Sequence, residues 1–319
     1  MPGSDCHETD AGEPDGDSRL LDGYLALIGA GHDGDDPPQL LRGQFHDVVL
    51  LGDVAYRFPR DEVSRRLLPS RIELLRALSQ CDLPAAIPTP LSGDAAGEPL
   101  GRCHVALQRL PGVAAGPELL ATTSAEAAVA TDLAALLARL QELGSDSAVG
   151  QAVPRSGRDH WSRFADDVRE VLYPLMSDEG RARAEAELTG VLAVDPVGRS
   201  LVHSDLGGAN LLWTTDGAGP RLTGVLDWDE AGIGNQACDL ASIAATFGWP
   251  LATRVGARLG GGQASLIADA KAIAETFALQ QALPAALSGD RAALDDGMTR
   301  YRQDALRGER RGRGSPTGA

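Results

Sequence analysis

The sequence predicts an α+β protein in two parts, a small sheet-rich part followed by a larger and mostly helical one. Short strand-like runs separated by turn dipeptides crowd the first third, and long segments with helical apolar spacing fill the rest. Pro111-Gly112 falls at the change of character and reads as a hinge. With 319 residues, 43% hydrophobic and 23% charged, the chain can bury the core of one bilobal domain or of two small ones.

Residues 1–18 hold six acids and no Lys or Arg, the composition of a solvated, disordered acidic tail. Leu20 to Ile28 has helical spacing. Val48–Leu51 and Val54–Phe58, split by Gly52-Asp53, read as a hairpin. Pro69 interrupts the apolar pattern between Glu62 and Leu78, so a helix is expected from about Ser70 onward. His104 to Leu110 is strand-like and closes the first part, over residues 19–111. The second part, residues 112–306, opens with helices over Ala125–Leu143, Trp161–Leu175 and Gly180–Leu192. Two short apolar runs follow, Asn210–Trp213 and Leu222–Leu226, divided by the turn-forming segment Asp216 to Pro220. Helix returns over Ala264–Leu283 and Asp290–Gln303, and residues 307–319 form a flexible basic tail.

A net charge of −16 argues against a nucleic-acid partner, which clustered Lys and Arg would grip, and suits a cationic small molecule. No apolar stretch is long enough for a membrane span and the first ten residues do not resemble a signal peptide. Cys6, Cys81, Cys103 and Cys238 lack metal or disulfide spacing and read as reduced thiols, so a cytoplasmic location is expected.

The chemistry concentrates in Leu201 to Asn210, with Asp227 seventeen residues beyond Asn210. His203-x-Asp205-x-x-x-x-Asn210 has the spacing of a kinase catalytic loop, where Asp accepts the substrate hydroxyl's proton and Asn holds magnesium. Asp227, at the exit of the predicted hairpin, would return beside Asn210 at its entrance and complete the metal site. His203 is expected to support the loop from below, with Asp239 as its hydrogen-bond partner. A metal-dependent hydrolase using Asp205, Asp227 and Asp229 is the competing reading, short of metal ligands.

These segments resemble the aminoglycoside phosphotransferase family, whose bilobal fold is protein-kinase-like, with a small sheet-rich N-lobe and a larger, mostly helical C-lobe. The resemblance runs from about Leu20 to Arg307. Gly43–Val49, Leu172–Gly180, His203–Asn210, Gly224–Gly234 and Thr276–Leu283 are similar to segments of a subgroup, the viomycin and capreomycin phosphotransferases. That implies ATP- and Mg²⁺-dependent phosphorylation of a serine hydroxyl on a cationic cyclic peptide antibiotic, a tuberactinomycin, for self-resistance. GTP as donor, an aminoglycoside or metabolite hydroxyl as acceptor, and a non-catalytic nucleotide-binding protein remain alternatives.

Two departures stand out. Ser204 occupies a position where the family usually has glycine, and the sole lysine, Lys271, lies far from the small lobe. Arg57 in Val54-Ala-Tyr-Arg-Phe58 is therefore the candidate for the phosphate-holding cation, with Glu73 to orient it. The resemblance places the phosphates near Gln44, Phe45 and His46, and the base near Gln108, Arg109 and Leu110. Asp229 and Glu230 are candidate contacts to a cationic substrate. Asp166, Asp167 and Glu170 read individually as a solvated helix face, and Trp213 and Trp228 as core.

Overall fold

The computed structural model describes residues 16–31, 37–43, 45–144, 147–217, 219–260 and 263–302. Gln44, Cys6 and the basic stretch 307–319 therefore lie outside the described residues, as do 1–15 of the acidic stretch. Gly16 to Ser18 are not tail: they open helix α1 (Gly16–Ile28). Asp17 favours that turn because its charge complements the helix N-terminus, and it pairs with Arg42 at 3.0 Å.

The chain divides into two compact units. In the first, α1 is followed by β1 (Gln39–Arg42), β2 (His46–Leu51), β3 (Val54–Pro59), α2 (Glu62–Leu78), β4 (Pro90–Ser92) and β5 (Val105–Gln108). The strands form one antiparallel sheet in the order β1-β2-β3-β5-β4. Gly52-Asp53 makes the two-residue turn between Leu51 and Val54, and Gly52 supplies the positive φ of 54° that such a tight hairpin requires. Leu25, Val49 and Phe58 form the core under α1, where Tyr24 stacks on Phe58 at 4.0 Å between ring centroids.

Helix α2 starts eight residues before the point expected from Pro69 and runs through it. Asp61 caps the true start by accepting the Ser64 amide at 2.7 Å. Pro69 is exposed, so the carbonyl it deprives of a partner can face water, while Ser64, Leu68, Ile72, Leu75 and Leu78 continue one buried face.

The second unit takes all residues from Pro111 and also Gln80–Ile87, which a simple division at Pro111-Gly112 does not anticipate. That segment joins because Ala86 bonds to the strand Gly219–Val225 through its amide to Thr223 O (3.0 Å) and its carbonyl from Val225 N (2.9 Å). The elements are β6 (Val113–Ala114), α3 (Thr123–Glu142), α4 (Ala148–Ala152), α5 (His160–Asp167), α6 (Asp178–Leu192), β7 (Ser200–Val202), β8 (Leu211–Asp216), β9 (Gly219–Val225), β10 (Gly232–Gly234), α7 (Ala237–Phe247), α8 (Trp249–Arg258), α9 (Gln263–Glu275), α10 (Phe277–Ser288) and α11 (Arg291–Met298). Helix α3 is central: Val129, Leu133, Leu136, Leu137 and Leu140 are fully buried.

Two helices read as continuous are interrupted. After α5 the chain passes into a π-helical turn, Val168–Leu172, and then a 3-10 turn containing Pro174, which lacks an amide to continue the α-helical ladder. Thr276 separates α9 from α10; its buried hydroxyl bonds to Ile273 O at 2.7 Å and competes with the backbone. Among the described residues, no helix is long and apolar enough to cross a membrane.

Candidate active site

The site is built on two antiparallel pairs. β7 pairs with β10, Val202 facing Gly232, and delivers His203 at the start of the loop. β8 pairs with β9, Leu211 facing Val225, so Asn210 just before one strand lies across from Leu226 just after the other. The Leu226 amide donates to Asn210 O at 2.8 Å and closes that end of the hairpin. Asp227 follows at once. The hairpin thus brings the entrance and exit residues together, as the sequence spacing suggested.

His203 is fully buried. Its Nε2 lies 2.7 Å from Leu226 O, which can only accept, and its Nδ1 accepts the Asp205 amide at 3.3 Å. The ring is therefore the neutral tautomer with hydrogen on Nε2, and it ties the catalytic-loop backbone to the segment entering Asp227. Trp228, 2% exposed, packs against the ring at 4.8 Å and donates its own N–H to Val225 O.

The expected partner, Asp239, does not bond to the imidazole. Its carboxylate instead accepts the backbone amides of His203 (3.0 Å) and Ser204 (2.8 Å). Asp239 is completely buried, and burial pushes its pKa up to about 6 against the opposing pull of the two amides. Ser204 stands at φ 72°, in the left-handed region that explains why glycine is usual at this place. Held by Asp239, the serine keeps that conformation.

Asp205 presents its side chain on the exposed side of the loop. Both hydrogens of the Asn210 amide are directed to it, one to Asp205 O and one to Asp205 Oδ2, each at 2.9 Å. The carboxyl is held above the usual range by desolvation, opposed by the hydrogen bond from Asn210 and reinforced by the charge of Asp227.

This amide orientation leaves Asn210 Oδ1, an acceptor with two lone pairs, for a hard cation. Asp227 adds an exposed carboxylate on a left-handed residue, φ 55° and ψ 66°, at the start of the short turn Trp228–Glu230. One amide oxygen and one carboxylate suit Mg²⁺, which takes oxygen ligands and retains waters. Among the described residues, no group of three or more His, Cys, Asp or Glu forms a metal cage. Asp229 is half-buried and Glu230 exposed in the same turn.

The first unit holds the other candidates. Arg57 is half-buried on β3, between Val48 and Val105 of the neighbouring strands. Glu73 is exposed on α2. Gly43 makes a tight turn, its amide donating to His46 O at 2.9 Å, and a Cβ would collide with that oxygen at 2.7 Å. The His46 side chain is buried, whereas Phe45 is 47% exposed. Gln108 is exposed; Arg109 directs its guanidinium to Gly52 O at 3.1 Å; Leu110 is buried.

Sequence reasoning assigned no role to Asp47, Asp132 or Thr246. Asp132 accepts the Leu222 amide at 2.9 Å and steadies β9 from α3. Thr246 accepts the Gly208 amide at 2.9 Å. Asp166, Asp167 and Glu170 are all exposed, Asp166 lying 3.3 Å from Arg169.

The hairpin thus gathers Asp205, the Asn210 amide oxygen and the Asp227 carboxylate at one end. Over residues 39–295 the chain matches the phosphotransferase enzyme family, and it belongs to that family. It is 42% identical over 260 residues to the viomycin phosphotransferase of Streptomyces vinaceus, covering 82% of this chain and 91% of that one. Its fold is that of the GDP complex of wild-type aminoglycoside 2'-phosphotransferase-IIIa, with a TM-score of 0.73, 19% identity and coverage of 90% and 97% of the two chains. It is likewise similar to the macrolide 2'-phosphotransferase of Brachybacterium faecium, with a TM-score of 0.63, 22% identity and coverage of 91% and 100%.

Proposed function

We propose that this protein transfers the terminal phosphoryl group of a nucleoside triphosphate, taken as ATP, to a serine hydroxyl of a tuberactinomycin such as viomycin or capreomycin. The observation that carries the chemistry is the Asn210 amide fixed on Asp205, which leaves Asp205 Oδ1 for an acceptor hydroxyl and Asn210 Oδ1 for a metal. The substrate rests on the 42% identity to viomycin phosphotransferase across most of both chains.

Asp205 would orient the acceptor hydroxyl and take its proton as the new P–O bond forms and the bond to the departing nucleoside diphosphate breaks. Positioning dominates such a reaction, and a strong base is not required. Asn210 and Asp227 would hold Mg²⁺, which when bound neutralises charge on the transferred group. In the first unit, Arg57 takes the part usually given to lysine, using its fork to bridge phosphate oxygens. Asp229 and Glu230 offer negative charge to the basic groups of the antibiotic, in keeping with a net charge of −16.

The test is magnesium-dependent nucleotide consumption with viomycin, capreomycin, kanamycin or no acceptor. Turnover confined to the two peptides supports the reading. Turnover on kanamycin alone assigns the acceptor to an aminoglycoside, and turnover without acceptor removes the kinase assignment.

A further inference from the structure

Helix α7 contributes more than Asp239 to the catalytic loop. Asp239, Ser242 and Thr246 follow one another at helical spacing and fall on one face, over roughly 10 Å of helix at 1.5 Å per residue. Each engages a different part of the loop. Asp239 takes the amides of His203 and Ser204, the Ser242 hydroxyl reaches Ser204 O at a long 3.5 Å, and Thr246 Oγ1 accepts the Gly208 amide at 2.9 Å.

The last contact is the closest to the chemistry. Gly208 opens the single 3-10 turn Gly208–Asn210, closed by the Asn210 amide donating to Gly207 O at 3.0 Å. Gly208 is buried, so its amide needs a protein acceptor, and Thr246 is the one it has. A Cβ on Gly208 would lie 2.6 Å from Thr246 Cγ2 and 2.8 Å from Ala115 O, so the residue must be glycine for the threonine to come this close.

We propose that Thr246 is a positioning residue for the metal ligand Asn210, its hydroxyl fixing the turn that aims the Asn210 amide. This rests on the assignment of Asn210 to the metal in the proposed function. Loss of the hydroxyl loosens Gly208 to Asn210, weakens divalent-metal binding and leaves the fold in place.

The direct test measures Mn²⁺ binding by electron paramagnetic resonance in the presence of ADP, together with amide hydrogen exchange over residues 207–210. Thr246→Val removes the acceptor at nearly constant shape; Thr246→Ser keeps it. Thr246→Val should weaken Mn²⁺ binding roughly three- to tenfold, the range of one hydrogen bond, and speed exchange in the turn. Thr246→Ser should restore both, and thermal unfolding should place all three proteins as folded. Unchanged Mn²⁺ affinity in Thr246→Val, or failure of Thr246→Ser to restore it, overturns the proposal. Absence of Mn²⁺ binding in the wild type overturns it together with the metal assignment. A wild type that binds Mn²⁺ but transfers no phosphoryl group removes the kinase reading alone, and the Val and Ser variants still decide this one.

Discussion

Each unit of the molecule has a buried aspartate, and the two are held in opposite ways. Asp239, fully buried, faces backbone amides of the catalytic loop. Asp47, 2% exposed near the start of β2, faces side chains: Tyr24 donates to it at 2.8 Å, and Arg42 and Arg60 lie at 3.6 and 3.7 Å. A carboxylate that accepts main-chain amides dictates the path of the backbone itself, including the left-handed Ser204. One compensated by long cations anchors a loop but leaves its path to other contacts. The first arrangement suits a loop that must hold Asp205 and Asn210 in fixed geometry.

The largest effect should come from Asp239→Ala. It leaves the buried His203 amide and the partly buried Ser204 amide without an acceptor, at up to about 1–3 kcal/mol each, and releases Ser204 from a conformation it otherwise avoids. Denaturant unfolding should show a loss of roughly 3 kcal/mol or more, and the residual folded enzyme should lose most of kcat.

Asp47→Ala should cost less, about 1–2 kcal/mol, because its arginine partners are 43% and 38% exposed in their side chains and regain water. Its kinetic signature should be a raised KM for nucleotide with kcat little changed. Equal kinetic damage from the two substitutions would erase the distinction drawn between them.

A third difference is pH dependence. With its pKa pushed up to about 6, against about 3.9 for an ordinary aspartate, Asp239 binds more proton in the native state than in the unfolded chain across that window. Its contribution to stability therefore falls as pH rises from about 4 to about 6 and is constant above. The carboxylate that accepts the loop amides fills across the same window, so activity should rise where this contribution falls. Subtracting the melting-temperature profile of Asp239→Asn from that of the wild type should isolate the downward slope.

The smallest effects belong to the partners of Asp47. Tyr24→Phe removes one hydrogen bond and should cost about 1 kcal/mol in chemical denaturation. Arg42→Ala, which loses exposed ion pairs, should leave stability close to that of wild type.

Much of this was legible in the sequence because it is local. Gly52-Asp53 encodes its own turn, and the seventeen-residue interval between Asn210 and Asp227 encodes a hairpin that returns to its start. The long-range partners were not legible. Asp239 was associated with the right loop but with the wrong atoms, since spacing cannot distinguish a ring nitrogen from a backbone amide 36 residues away. Thr246 sits in an apolar helix where a lone hydroxyl reads as incidental; the helical stripe Asp239, Ser242, Thr246 was the available signal. Pro69 misled because a proline whose side of the helix faces solvent costs much less than one in the interior.

The most direct measurement is mass spectrometry of viomycin incubated with ATP, magnesium and enzyme, with Asp205→Asn alongside. The account predicts one added phosphoryl group, located by fragmentation on a serine side chain, and a rate reduced by orders of magnitude in Asp205→Asn. Unmodified viomycin and capreomycin after prolonged incubation with an enzyme that binds nucleotide, or equal rates for wild type and Asp205→Asn, would contradict it.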